Sequence, residues 1–243
     1  MQKSKVISFY DEKSREFYAD LPKSPYEFYR QNLITNSLLE EALKGIPENK
    51  KLKVLDLGCG NGYFTIKALV KNKNFQVTGS DISKGMIAVS KKHFPEASYC
   101  INDAMQLPFK DASFDFIISR ELIEHLPDPV KCFEEVNRVL KKDGFVAVST
   151  PSFFGLIAPL YFLKKSSGSM QPIDEWWTPF SLKKAVNKVG LKQSGMKSIN
   201  FIPYHGSFPG FLVPLIKALD KIISLIPFLN LFGRTLIIKA VKE

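Results

Sequence analysis

The chain predicts a doubly wound α/β fold, and three observations carry that prediction. Residues 53–57 (KVLDL) form a short aliphatic run that ends in Gly58-Cys59-Gly60-Asn61-Gly62 and continues as YFTIKALVKN, a segment of helical composition. This reads as a strand, a glycine turn and a helix. Strand-like and helix-like segments then alternate as far as residue 150, the pattern that specifies a parallel sheet covered by helices on both faces. The third observation is the closing segment TLIIKAV at 235–241, which reads as a last strand.

The elements follow in order. Residues 1–50 look helical, above all 26–43, and precede the first strand like a flap. After the glycine turn come a strand at 75–81 (FQVTGSD), a helix at 84–93, a strand near 98–102 and a strand at 114–119 (FDFIIS). Residues 129–141 form an amphipathic helix with Val130, Phe133, Val136 and Leu140 on one face, and 145–150 a fifth strand. An aromatic and proline-rich insert at about 151–178 interrupts the alternation, which resumes with a helix at 181–189 and a strand at 191–199. A second apolar insert at about 205–233 precedes the last strand. The division is therefore a flap at 1–50, a core at 51–150, and at 151–243 the remainder of the same domain carrying two lid inserts.

Composition narrows the class. With 243 residues, 45% hydrophobic and 24% charged, the chain has ordinary globular composition and is long enough to hold a core without disulfides or a structural metal. Cys59, Cys100 and Cys132 are far apart and form no C-x-x-C pair, which argues for a reducing, cytoplasmic setting. No export signal is visible at the N-terminus. Two uncharged stretches, 144–163 and 199–216, are interrupted by prolines and polar residues, so neither predicts a membrane span. The formal charge of +10 is concentrated in residues 151–243, with 12 basic and 4 acidic side chains; this suits anionic headgroups, nucleic acid, an acidic substrate or a solvated lysine surface.

The glycine turn places backbone N–H groups and a closely approaching main chain at the carboxyl ends of the strands. Tyr63 stands where a nicotinamide fingerprint needs its third glycine, and no G-K-[ST] follows. Asp56, two residues before the first glycine, predicts a cationic ligand. VLDLGCGNGYF resembles the first motif of the class I S-adenosylmethionine-dependent methyltransferases, and the segments up to residue 150 are similar to that family in order and spacing, within the methyltransferase type 11 group. The resemblance implies a Rossmann-like, mostly parallel seven-stranded sheet with an antiparallel last strand, and S-adenosyl-L-methionine as cofactor. It assigns Gly58, Gly60 and Gly62 to the cofactor loop and Asp81 to the ribose hydroxyls. Ile82 falls next to the adenine and Asp103-Ala104 at the adenine edge. Arg30 falls where quinone-pathway O-methyltransferases hold the cofactor carboxylate, an exposed helix arginine being the alternative, and Arg120 is expected to meet cofactor through its backbone.

Methyl transfer needs alignment and water exclusion more than acid–base groups. Glu121, Glu124 and His125 share one face if their segment is helical, and E-x-x-E-H-x-P-D-P resembles the quinone and polyprenyl O-methyltransferases, where such residues are associated with a divalent ion such as Mg. Three readings stay open: a metal site, a metal-free base or acceptor-orienting group at His125, and a structural helix start. Phe153, Phe154, Tyr161, Phe162, Trp176, Trp177 and Phe180 imply an apolar lid. In the second insert Leu215, Ala218, Leu219, Ile222 and Ile226 form a helical stripe opposite Lys217, Asp220 and Lys221, either packed on its own domain or facing a membrane. The expectation is methyl transfer to a small-molecule or lipid-like acceptor, oxygen favoured over carbon or nitrogen, with peripheral membrane contact. No N-P-P-Y-type motif follows strand four, so DNA is not expected as substrate. A nicotinamide oxidoreductase and a non-catalytic cofactor-binding or lipid-binding protein are the competing classes.

Overall fold

The computed structural model describes residues 2–16, 25–155, 175–202, 210–226, 229 and 232–243. Tyr161 and Phe162, and the parts of the two inserts at 156–174 and 203–209, lie outside the described residues. Seven strands form one sheet: β1 Leu52–Leu57, β2 Phe75–Asp81, β3 Ser98–Ile101, β4 Phe114–Arg120, β5 Leu140–Pro151, β6 Leu191–Ile199 and β7 Thr235–Lys242, in the order β3-β2-β1-β4-β5-β7-β6. Strands β3, β2, β1, β4 and β5 pair in parallel, and β7 runs antiparallel to both β5 and β6. This is the mixed sheet that the resemblance implied. The helices are α1 Gln2–Glu16, α2 Pro25–Leu43, α3 Thr65–Leu69, α4 Lys84–His93, α5 Pro129–Val139, α6 Pro179–Lys188 and α7 Val213–Leu225.

Each face of the sheet buries its own core, because successive strand residues point to opposite sides. Leu55, Leu57, Ile117, Val146 and Val148 pack with α5 and α6 through Phe133, Val136, Leu182 and Val186. Val54, Phe116, Ile118, Phe145 and Ala147 pack with α2, α3 and α4 through Ile34, Leu38, Ile66 and Ile87. Capping residues fix where the helices begin. Ser83 accepts from Met86 N at the start of α4, Asp128 accepts from Lys131 N at α5, and Thr178 with Ser181 forms a reciprocal box at α6; each such cap stabilises its helix by about 1 kcal/mol.

The fifth strand starts at Leu140, earlier than the composition suggested, and the helix before it ends at Val139. Asp143 takes a φ of 59° there, and a methyl at Gly144 would lie 2.8 Å from the Lys141 carbonyl oxygen, so this end of the strand is a tight, irregular entry. None of the described helices is long and apolar enough to cross a membrane.

Three ends of the fold converge on the carboxyl edge of the parallel strands. α1 docks onto the start of α4: Asp11 Oδ1 accepts from Ser83 Oγ at 2.5 Å and from Gly85 N at 3.1 Å. α2 lies across β5 and β7. α7 is tied down by Asp220, whose Oδ1 accepts from Phe201 N and Ile202 N at 3.0 and 3.1 Å, with Tyr29 donating to Oδ2 at 3.4 Å. Asp220 therefore belongs to the packed side of α7, not to the lysine-bearing outer surface expected from the wheel.

Candidate active site

A cavity of about 450 Å³ opens at the carboxyl ends of β1, β2, β4 and β5 and at the start of β7, within the size range of small-molecule sites. The loop after β1 forms one wall. Gly58 N and Cys59 N donate to the Ser80 carbonyl at 2.8 and 2.9 Å, clamping the loop to the end of β2. Gly60 adopts a φ of 53°, and a methyl there would meet nothing within 4 Å, so its bare backbone leaves cavity space open. Gly62 does not line the cavity; at a φ of 75° it lies against α4, where a methyl would come within 2.2 Å of Ser90 Oγ. The glycines thus divide between a ligand-facing task and a packing task.

Asp81 is the hinge of this wall. Its Oδ2 accepts from Gly60 N and its Oδ1 from Ser83 N, both at 2.9 Å. An ionised carboxylate offers about four acceptor positions, so Asp81 holds the loop and still has acceptor capacity on the cavity side. Burial raises its pKa, against the lowering effect of the backbone donors. Ile82, Asp103 and Ala104 line the same end. Asp103 also closes a local turn by accepting from Met105 N at 2.9 Å. Beside it Asn102, absent from the expected set, lines the cavity with both side-chain polar atoms buried and unpartnered. An unsatisfied buried amide costs about 1–3 kcal/mol. The sequence signal was only its position, one residue before Asp103.

Asp56 corrects an expectation. It is buried behind the loop, does not line the cavity, and accepts from the Thr65 hydroxyl. The strand alternation is the reason: Asp56 shares its face with Val54, toward α3, and not with a ligand. Burial pushes its carboxyl up to about 7, with the Thr65 hydrogen bond opposing and the Asp81 charge adding to the rise. Because the folded value exceeds the unfolded one of about 4, the native state binds more protons between these values, and stability falls as pH rises through that window. Asp56→Asn is expected to flatten this decline in thermal melts taken from pH 4.5 to 7.5; an unchanged slope would refute the assignment.

The end of β4 supplies the middle of the site. Arg120 does more than offer backbone: its guanidinium lies 4.6 Å from the centre of the Phe64 ring and donates to Gln31 Oε1, while Nε is buried without a partner. Arg30 lines the cavity from α2 and is not an exposed helix arginine. Its Nε and Nη2 donate to the two Glu27 oxygens at 2.9 and 2.6 Å.

Glu121, Glu124 and His125 do not form the expected helical face. Glu121 takes a left-handed φ of 52° with its N–H on the Ser149 carbonyl, and only Ile123–His125 follow as a single 3₁₀ turn. Glu124 is 1% exposed and accepts from Thr150 Oγ1 at 3.0 Å, with His125 Nε2 at 3.8 Å from its other oxygen. His125 faces the flap, its ring centre 6.3 Å from that of Tyr10. Among the described residues no three His, Cys, Asp or Glu side chains gather as a metal site requires. Glu121, Glu124 and His125 all line the cavity, but they do not gather into the close donor set that the divalent ion suggested by the motif requires.

The described aromatics of the first insert do not gather at one place. Trp176 lines the cavity, Trp177 packs into the core below α6, and Phe153 and Phe180 are exposed. Tyr10, Gln31, Phe64, Trp176 and Arg234 join the cavity from five separate segments. Of these, only Trp176 was singled out by composition.

Residues 55–148 match the methyltransferase domain family. The demethylmenaquinone methyltransferase of Staphylococcus aureus (strain MRSA252) is 35% identical over 133 residues, which are 51% of this chain and 55% of that protein. The chain thus spans about half the length of the curated relatives it matches. Among solved structures, a chain from the complex with the Trm112 methyltransferase activator of Haloferax volcanii superposes with a TM-score of 0.67 at 20% identity, covering 96% of both chains. The Haemonchus contortus phosphoethanolamine N-methyltransferase 2, solved with phosphomonomethylethanolamine and S-adenosylhomocysteine, gives a TM-score of 0.59 at 20% identity, over 86% of this chain and 52% of that one. These two likenesses bear on the fold. Over residues 55–148 the chain is thus similar to a methyltransferase domain.

Proposed function

We propose that this chain transfers a methyl group from S-adenosylmethionine to a small-molecule acceptor, with oxygen favoured as the atom methylated. One observation carries the reading: Asp81, the Gly60 backbone and the unpartnered Asn102 amide line one cavity together with Tyr10, His125 and Trp176. Asp81 would hold the two ribose hydroxyls, while Ile82, Asn102 and Ala104 would bracket the adenine. Arg120 and Gln31 would receive the amino-acid end. The cofactor, when bound, supplies an electrophilic methyl on a sulfonium, and the protein's task is to align an acceptor and exclude water, which can lower a barrier by about 7–11 kcal/mol. α1 closes one side of the cavity through Val6 and Tyr10. His125, beside the Glu124 carboxylate, would orient an acceptor hydroxyl and take its proton.

Two measurements test this reading: calorimetry with S-adenosylhomocysteine, and transfer of label from radioactive donor to a panel of phenolic and isoprenoid acceptors. Binding and turnover together support it. Binding without turnover on any acceptor favours a cofactor-binding protein, and the absence of both sinks the reading.

The acceptor side has a lipid-like character in this proposal, and α7 supports it. That helix packs through Val213, Ile216 and Asp220, and turns Leu215, Leu219, Ile222, Leu225 and Ile226 outward, with Phe211 78% exposed just before it. Lys217 and Lys221 flank this outer stripe. An apolar face rimmed by lysines suits an anionic bilayer surface. The expected result is co-sedimentation with phosphatidylglycerol-containing vesicles at low salt. Leu215→Asp with Ile222→Asp should reduce it at least tenfold without altering S-adenosylhomocysteine affinity, since each apolar side chain inserted is worth about 1.5–3 kcal/mol. Equal sedimentation of wild type and variant would remove the membrane from the proposal.

A further inference from the structure

Three guanidinium groups reach the cavity, and two of them have evident tasks. Arg30 is paired with Glu27. Arg120 leaves the end of β4 toward Phe64 and Gln31, on the glycine-loop side, where the donor's single carboxylate would lie. Arg234 remains. It stands immediately before β7 and lines the cavity, and among the described residues its side chain has no hydrogen bond or ion pair.

Its place in the sheet separates it from the donor. β2, which ends in Asp81, and β7 lie on opposite sides of β1 in the strand order, and β7 is three positions from β1. At about 4.8 Å per strand that is about 14 Å. The charged groups that bear on Arg234 are Arg30, Glu121 and Glu27, together with the Tyr26 phenol. Glu27 is already engaged by Arg30, and Glu121 forms no ion pair with any of the three arginines. Burial and the neighbouring Arg30 both disfavour its charge. A partly buried guanidinium without an acceptor is costly to keep, and its planar fork matches a carboxylate or phosphate in two parallel hydrogen bonds.

We infer that Arg234 is a specificity-determining residue that binds an acidic group, a carboxylate or a phosphate ester, carried by the methyl acceptor. The inference rests on the methyltransferase reading, because it assumes the donor on the Asp81 and Arg120 side. It places the acceptor's acid at the β7 end and its methylated atom toward His125, and it makes the acceptor anionic at one point whatever apolar part it also carries.

The test uses the full chain saturated with S-adenosylhomocysteine, titrated calorimetrically with catechol, with 3,4-dihydroxybenzoate and with catechol monophosphate. At least one acidic ligand should bind about tenfold or more tightly than catechol, and the tighter of the two identifies which acid the site takes. Arg234→Gln should erase that preference and Arg234→Lys keep part of it, both with S-adenosylhomocysteine affinity unchanged. If neither acid binds better than catechol to the wild type, the inference is wrong. It is also wrong if Arg234→Gln weakens S-adenosylhomocysteine binding as much as loss of Asp81 does, because Arg234 would then serve the donor. Failure of the wild type to bind S-adenosylhomocysteine at all removes the underlying methyltransferase reading, and this inference with it.

Discussion

Asp81→Ala is expected to lower affinity for S-adenosylhomocysteine by about a hundredfold to ten-thousandfold, the loss of two hydrogen bonds to a charged acceptor at about 1.5–3 kcal/mol each. The effect has a second origin. The same carboxylate accepts from Gly60 N and Ser83 N at 2.9 Å, so its removal also frees the loop that shapes the cavity. Asp81→Asn separates the two contributions: one oxygen can still accept, whereas the amide nitrogen faces a backbone donor, and an intermediate affinity follows. Because burial raises the Asp81 pKa, wild-type affinity should begin to fall at a higher pH than an ordinary carboxylate would dictate as solutions are acidified. Calorimetry at a series of pH values reads both effects. An Asp81→Ala protein within threefold of wild-type affinity would mean the ribose does not sit there.

Gly62→Ala is the second large effect, and it acts on the fold. The residue has a φ of 75°, a conformation that costs a residue with a Cβ about 1–2 kcal/mol. The new methyl would also lie 2.2 Å from Ser90 Oγ and 3.0 Å from Phe94 Cδ2, and such overpacking costs about 1–3 kcal/mol. Together these are about 2–5 kcal/mol, or a drop in melting temperature of roughly 5–15 °C for a chain of this size. Gly60→Ala gives a different profile. Its φ of 53° carries the same backbone cost of about 1–2 kcal/mol, but its methyl meets no protein atom within 4 Å and the residue lines the cavity, so the melting temperature should fall less than for Gly62→Ala while S-adenosylhomocysteine affinity falls. If both variants lost only stability, or both only affinity, the division of tasks between the two glycines would be wrong.

The readable part of the site was local. The strand and the glycine turn are read from neighbours a few residues apart, while Asp81, Ile82, Asp103 and Ala104 are singled out by the family resemblance. Asp56 shows where that reading stops. Its spacing before Gly58 suggested a ligand contact, yet the period-two alternation that makes β1 a strand also turns Asp56 toward Val54 and Thr65. The helical face expected of Glu121, Glu124 and His125 failed for a related reason. Their i, i+3, i+4 spacing has meaning only on an α-helix, and the left-handed Glu121 ends that premise before the turn begins. The stripe on α7 was visible as a pattern, but which face meets the protein depended on Asp220 binding two backbone amides of a distant segment.

By itself, the order of residues determined the α/β class, the strand sequence and the glycine loop, since hydrophobic periodicity and backbone sterics operate over a few residues, while the family resemblance pointed to its acidic partner Asp81. Only the tertiary structure decided that Tyr10, Trp176 and Arg234 meet His125 in one cavity. Those groups are drawn from both ends of the chain by the burial of two apolar sheet faces. That force is non-directional, and it leaves no local trace of which polar side chains it will bring together.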